Sequence, residues 1–161
     1  MSTTEIQSER DEKIKDCLIK SRNCAQTSFA ILQEQFGLDG DRVLKALTAF
    51  PGIALRCETC GAVTGGMMAL GLVFGREELD DEQGFQTALV AARTFCQRFE
   101  QELGSTMCGD IQESKFGRKF DLVDPEQLAA WEAANPVDKC SAVVSTGVRI
   151  AAEIIAESRQ G

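Results

Sequence analysis

Residues 81–103 of the chain read DEQGFQTALVAARTFCQRFEQEL, and this segment decides the fold class. Its apolar side chains recur at alternating spacings of four and three residues, which places them along one face of a helix. They are Phe85, Leu89, Ala92, Cys96, Phe99 and Leu103. The segment therefore predicts a long amphipathic helix that starts near Asp81, buries this row of side chains and ends at Gly104.

The rest of the chain also favours helices. It contains only three prolines and no sustained polar and apolar alternation of the kind that strands require. The other expected helices cover about 8–20, 24–36, 41–50, 59–75, a short turn from 108, 124–134 and 138 onward. These helices predict an all-α single domain over residues 1–161, a bundle of six to eight helices, with residues 1–10 as a flexible N-terminus.

Residues 59–75 form the most unusual of these helices, because their sequence is apolar and rich in glycine. We expect Thr59 to cap this helix and most of its length to be buried. Each glycine in a helix interior costs about 1 kcal/mol relative to alanine, so this density indicates that a second backbone or a bound group approaches closely. Tight packing against another helix is the favoured explanation.

Composition excludes several classes of function. The net charge of −8 and the pI near 4.6 leave no basic surface for nucleic acid. No signal sequence and no membrane-spanning segment is recognised, so a cytoplasmic protein is expected. The chain has no phosphate-binding loop and no histidine, so we expect no nucleotide cofactor, no c-type haem and no histidine-ligated metal.

Seven cysteines are the main chemical feature of the sequence. In a reducing cytoplasm, clustered cysteines indicate metal binding or redox chemistry more than structural disulfides. Four of them are expected in the first turns of helices, where free backbone N–H groups and the helix dipole favour a thiolate. These are Cys24, Cys60, Cys108 and Cys140, preceded by the predicted caps Asn23, Thr59, Ser105–Thr106 and Asp138.

The other cysteines divide into two kinds. Cys57 forms a Cys-x-x-Cys pair with Cys60 at the turn into the glycine-rich helix. Cys17 and Cys96 lie in the middle of predicted helices, where a free cysteine acts as a small apolar side chain. Five cysteines from four parts of the chain are therefore candidates for one site.

Four separated motifs resemble the C-GCAxxG-C-C family of redox-active proteins, from about residue 12 to residue 157. They are Asn23-Cys24-Ala25-Gln26, the segment from Cys57 to Met68, Gly104 to Cys108, and Lys139 to Val144. The resemblance implies a redox or metal-binding role carried by Cys57, Cys60, Cys108 and Cys140, with Cys24 nearby. The chain departs from the family pattern because Thr59 precedes Cys60 and Gly61 separates it from Ala62.

Three functions are consistent with these residues. The first is a redox protein in which Cys57, Cys60, Cys108 and Cys140 hold an iron–sulfur cluster or another thiolate-bound metal. The second is a thiol–disulfide oxidoreductase or carrier, with Cys57 and Cys60 as the exchanging pair and Cys24, Cys108 or Cys140 resolving the intermediate. The third is a structural zinc site in a helical interaction module.

The expected partner is a redox protein or a small-molecule substrate. Neither nucleic acid nor a membrane is an expected partner. The oligomeric state stays open, with a homodimer favoured only because homodimers are common.

Overall fold

The computed structural model describes residues 2–161, which contain eight right-handed helices and no β-strand. The helices are α1 (Thr3–Ser21), α2 (Cys24–Phe36), α3 (Asp41–Ala46), α4 (Gly61–Phe74), α5 (Glu82–Leu103), α6 (Cys108–Phe116), α7 (Pro125–Ala133) and α8 (Pro136–Gln160). The all-α class and the number of helices are confirmed. Within residues 2–161, no helix is both long and apolar enough to cross a membrane.

Side-chain capping explains where four of the eight helices begin. Asn23, Asp81 and Asp124 each accept a hydrogen bond from a backbone N–H in the first turn, as predicted for α2, α5 and α7. Helix α1 begins at Thr3, earlier than expected, because Ser2 and Glu5 form a reciprocal capping box. The flexibility of residues 1–10 stays a prediction, and Met1 lies outside the described residues.

Helix α8 forms the centre of the bundle and packs against α1, α2, α4 and α5. The apolar and small residues along one side of this helix are buried. They are Val143, Val144, Gly147, Val148, Ile150, Ala151, Ile154 and Ile155. The core is completed by large side chains from the neighbouring helices, including Phe29, Leu70 and Phe99, each 1% exposed or less.

The predicted buried face of α5 is partly wrong. Phe85 and Leu89 are 38% and 47% exposed, and the buried row is Ala91, Phe95 and Phe99. Both rows are apolar, and a phenyl ring removes more apolar area from water than a thiol does, so Phe95 occupies the core in place of Cys96. A Cβ atom at Gly66 would lie 2.8 Å from the Phe95 ring, so α4 makes room for it.

Helix α4 is buried mainly along its first half. Gly61, Ala62, Val63, Gly65 and Gly66 are buried, whereas Met67, Met68 and Leu72 are between 37% and 41% exposed. The expectation of a helix buried along most of its length is therefore too broad. The buried half lies against α2, and this contact carries the candidate site.

Candidate functional site

The start of α2 is fixed by polar side chains. Asn23 accepts a hydrogen bond from the Gln26 backbone N–H (2.9 Å) and donates one from its amide to the Thr48 carbonyl (3.0 Å). The Gln26 amide donates to the Leu44 carbonyl (2.9 Å). These bonds anchor the first turn of α2 to α3 and to the residues just after it. Cys24 is the first residue of α2, and its sulfur lies against α4.

The sulfur of Cys24 lies directly against the backbone of α4. A Cβ atom at Gly61 would be 2.2 Å from this sulfur, so only glycine fits there. The backbone N–H groups of Gly61 and Ala62 from α4, and of Cys24 and Ala25 from α2, lower the pKa of this thiol. Burial has the larger effect and raises the pKa overall. The starts of α2 and α4 therefore meet at this thiol.

The Cys-x-x-Cys segment pairs with the start of α6. Thr59 and Met107 form an antiparallel β-bridge, with hydrogen bonds from Cys60 N–H to the Thr106 carbonyl (2.8 Å) and from Cys108 N–H to the Glu58 carbonyl (2.6 Å). This pairing places Cys60 and Cys108 in neighbouring segments.

The caps predicted next to these two cysteines are wrong. Cys60 itself is the residue before α4, and Met107 is the residue before α6; neither helix has a side-chain cap. Thr59 and Thr106 are instead paired through the bridge segment, where their backbones hold the two cysteines side by side.

The loop before Cys57 adopts an uncommon backbone conformation. Gly52–Leu55 forms one left-handed helical turn with φ between +48° and +61°, and Cys57 has φ +59°. Non-glycine residues in this region cost about 1–3 kcal/mol each, and such strain concentrates at functional sites. A Cβ atom at Gly52 would lie 3.5 Å from the Cys108 sulfur, so the turn packs against that thiol.

Four thiols from four segments form what we call the sulfur cluster: Cys24, Cys60, Cys108 and Cys140. Cys60 is 6% exposed and the other three are partly buried. Burial raises the pKa of Cys60 well above its ordinary value, and negative charge on any of the other three would raise it further. Burial also raises the pKa values of Cys108 and Cys140 to about 12. The thiols of the cluster are therefore protonated at neutral pH.

Cys140 reaches this cluster from a position that differs from the predicted one. Because α8 begins at Pro136, two residues before Asp138, Cys140 lies in the second turn of α8. The prediction that it occupies a first turn is wrong. Cys96 packs against the edge of the hydrophobic core, and Cys17 lies partly buried on α1.

Cys57 faces a different set of groups from Cys60. Its sulfur lies 3.3 Å from the Phe120 carbonyl, to which it donates, and 3.9 Å from the Gln112 side-chain oxygen. Burial raises its pKa, and the positive charge of Lys119 partly offsets this effect. The structure therefore places the two members of the Cys-x-x-Cys pair in different surroundings.

Gln112 is the site residue that the sequence analysis missed. It is 3% exposed, donates from Nε2 to the Cys108 sulfur (3.4 Å) and accepts at Oε1 from the Phe120 N–H (2.7 Å). Its only signal in the sequence is its spacing of four residues from Cys108, which places both on one face of α6. The contact with Cys57 depends on the tertiary fold.

The sulfur donors suit soft metals, but their arrangement does not form a ready metal site. Within residues 2–161, no group of three or more His, Cys, Asp or Glu side chains comes together in a way that holds a metal ion. Metal binding at the cluster would require its side chains to rearrange and to lose their protons.

We expect the thiols of Cys108 and Cys140 to react about a thousandfold more slowly with iodoacetamide at pH 8 in the folded protein than in the unfolded chain. The thiolate is the reactive form, and raising the pKa from 9.0 to about 12 lowers its fraction at pH 8 accordingly. The rates should rise about tenfold per pH unit up to that pKa. Quenched labelling followed by peptide mass spectrometry measures each site, and equal rates in folded and unfolded protein would contradict these pKa values.

Comparison with known proteins identifies one family. Residues 22–154 match the model of the family described as "Putative redox-active protein (C_GCAxxG_C_C)". No match was found among curated proteins or among solved structures. Because the matched region covers most of the chain, the protein belongs to the C_GCAxxG_C_C family.

Proposed function

We propose that the protein is a thiol-based redox protein, in which cysteines of the candidate site are reversibly oxidised to disulfides. The observation that supports the proposal is the contact between the segments that hold three of these thiols. The Cys24 sulfur lies against Gly61, next to Cys60, and the Cys108 N–H donates to the Glu58 carbonyl. Two neighbouring thiols can form a sulfur–sulfur bond while an external disulfide takes up their two electrons and two protons, and this exchange needs no other cofactor.

A second candidate uses the same sulfurs to hold an iron–sulfur cluster or another metal. The backbone N–H groups at the starts of α2 and α4 lower the pKa of Cys24 and favour this candidate, because hydrogen bonds to ligating sulfur stabilise anionic clusters and tune their potentials. The predicted ligand set of Cys57, Cys60, Cys108 and Cys140 would need Cys57 to turn away from Phe120. A donor set with Cys24 in place of Cys57 as the fourth ligand would leave the contact between Cys57 and Phe120 intact.

The experiment that tests the proposal counts thiols under controlled oxidation. Protein purified without oxygen and reduced should show seven titratable thiols when unfolded. Oxidation by a small disulfide should remove an even number of thiols, and a dithiol reductant should restore them. If no thiols are lost reversibly, the thiol-based proposal is wrong.

Metal and sulfide analysis of the same preparation separates the alternatives. Iron with equimolar acid-labile sulfide and a visible absorption band would replace the thiol-based proposal with the iron–sulfur candidate. Bound zinc without reversible thiol loss would instead indicate the structural zinc site.

A further inference from the structure

Cys57 and Cys108 share one buried side chain. The Gln112 amide nitrogen lies 3.4 Å from the Cys108 sulfur, and its oxygen lies 3.9 Å from the Cys57 sulfur. The Phe120 N–H donates to the same oxygen (2.7 Å), which fixes the orientation of the amide. Gln112 thereby holds the two thiols on the two ends of one rigid amide group.

The backbones of the two cysteines are also tied together. Gly109 N–H donates to the Cys57 carbonyl (2.9 Å), and Cys108 N–H donates to the Glu58 carbonyl (2.6 Å). Gly52 lies between them, because a Cβ atom there would be 3.4 Å from the Cys57 nitrogen and 3.6 Å from the Cys108 Cβ. The two residues are thus held in adjacent, hydrogen-bonded segments.

Cys57 occupies a position where glycine is the residue with the lowest backbone cost. A cysteine at φ +59° is strained, and the preceding left-handed turn adds to that strain. The side chain remains partly exposed, next to the exposed residues Ala54, Leu55 and Arg56. A strained and partly exposed thiol beside a buried group of thiols is one that an external reactant can reach.

We propose that Cys57 and Cys108 are the pair that reacts first with an external disulfide, and that Gln112 is the residue that positions them. This inference rests on the proposed thiol-based function and identifies the two thiols that react first. Cys108 then connects the accessible thiol with Cys24, Cys60 and Cys140, because it belongs to the sulfur cluster and contacts Gln112 as well. It replaces Cys60 as the partner of Cys57 in the exchange.

The reaction transfers two electrons to the external disulfide, R–S–S–R. The Cys57 thiol loses its proton and attacks one sulfur, so that a Cys57–S–S–R bond forms and one RSH leaves with a proton. The Cys108 thiol then loses its proton and attacks the Cys57 sulfur, which releases the second RSH. The protein gains one Cys57–Cys108 disulfide, and the external disulfide is reduced to two thiols.

Disulfide mapping of the full-length protein tests this pair. The reduced protein is mixed with hydroxyethyl disulfide without oxygen, quenched with acid at increasing times, alkylated and digested for mass spectrometry. The first internal disulfide should join Cys57 and Cys108. A first disulfide between Cys57 and Cys60, or within the sulfur cluster, would overturn the inference while leaving the proposed function intact. No reversible disulfide at all would contradict both.

Substitution of Gln112 tests its positioning role. Gln112→Met keeps a similar volume and removes both polar contacts, so we expect formation of the Cys57–Cys108 disulfide to slow about tenfold, the effect of losing one hydrogen bond. Gln101→Met, at an exposed position on α5, is the matched control and should leave the rate unchanged. Equal rates in the two variants would show that Gln112 does not position the pair.

A further readout separates positioning from a loss of packing. The Gln112 amide N–H donates to the Cys108 sulfur and lowers the pKa of that thiol. The pH profile of iodoacetamide labelling at Cys108 should therefore shift to higher pH in Gln112→Met, while the profile of Cys96 stays unchanged. The same change at both cysteines would indicate a destabilised fold and overturn the positioning role. The mapping of the unsubstituted protein does not depend on this variant.

Discussion

Replacing Cys108 with alanine is expected to slow internal disulfide formation by a factor on the order of 100 or more. Cys57 would still attack an external disulfide, but the intramolecular nucleophile that releases the second thiol would be missing. A mixed disulfide at Cys57 should then accumulate. Intact mass spectrometry detects this adduct. The release of free thiol, measured over time, gives the rates of the attack by Cys57 and of the resolution step.

Cys96→Ala is the control for this result, because Cys96 is also partly buried and lies on α5, outside the sulfur cluster. It should keep the rate and the disulfide pattern of the unsubstituted protein. If Cys108→Ala forms an internal disulfide at Cys57 as fast as Cys96→Ala does, another thiol resolves the intermediate, and the pairing of Cys57 with Cys108 is wrong.

The Cys-x-x-Cys spacing does not by itself determine which thiols meet. In many such motifs both cysteines are at the start of one helix, but here only Cys60 adjoins α4, while the left-handed conformation at Cys57 turns its side chain towards α6. The β-bridge between Thr59 and Met107 then brings Cys108 next to both. Cys57 and Cys60, which are neighbours in the sequence, therefore both lie next to Cys108, which is distant in the sequence.

Local signals in the sequence predicted the helices well. Asn23, Asp81 and Asp124 cap their helices as expected, since a cap depends only on residues within one turn. The buried face of α5 was harder to predict, because two adjacent apolar rows compete and the choice depends on which ring fits against Gly66. That choice is made by packing between helices and has no local signal.

In the candidate site, too, local signals predicted some features and tertiary contacts determined the others. Helix starts and motif order identified Cys24, Cys60, Cys108 and Cys140 as candidates for one site, and the structure pairs the segments that hold Cys60 and Cys108. The role of Gln112 and the left-handed turn before Cys57 were not predicted. Both depend on contacts with Phe120 and Cys108, which are more than 50 residues away from Cys57 in the sequence.

Replacing Gly65 with alanine should lower the free energy of unfolding by about 2 kcal/mol, which corresponds to about 4–8 °C in the thermal midpoint. The new Cβ would lie 2.0 Å from the Ser28 hydroxyl and 2.3 Å from the Ala25 carbonyl oxygen. Ser28 is fully buried and its hydroxyl lies 3.3 Å from the Gly61 carbonyl, so α2 and α4 are bonded where the methyl group would enter. Denaturant unfolding followed by circular dichroism measures the effect.

Gly71→Ala in the same helix provides the matched comparison. A Cβ atom there has no neighbour within 4 Å, so the substitution should stabilise the protein by about 0.5–1 kcal/mol through helix propensity alone. If the change in the free energy of unfolding has opposite signs in Gly65→Ala and Gly71→Ala, the contact between α2 and α4 requires glycine at position 65, and the flexibility of glycine does not. Equal effects at the two positions would contradict the close packing that also holds Cys24 against Gly61.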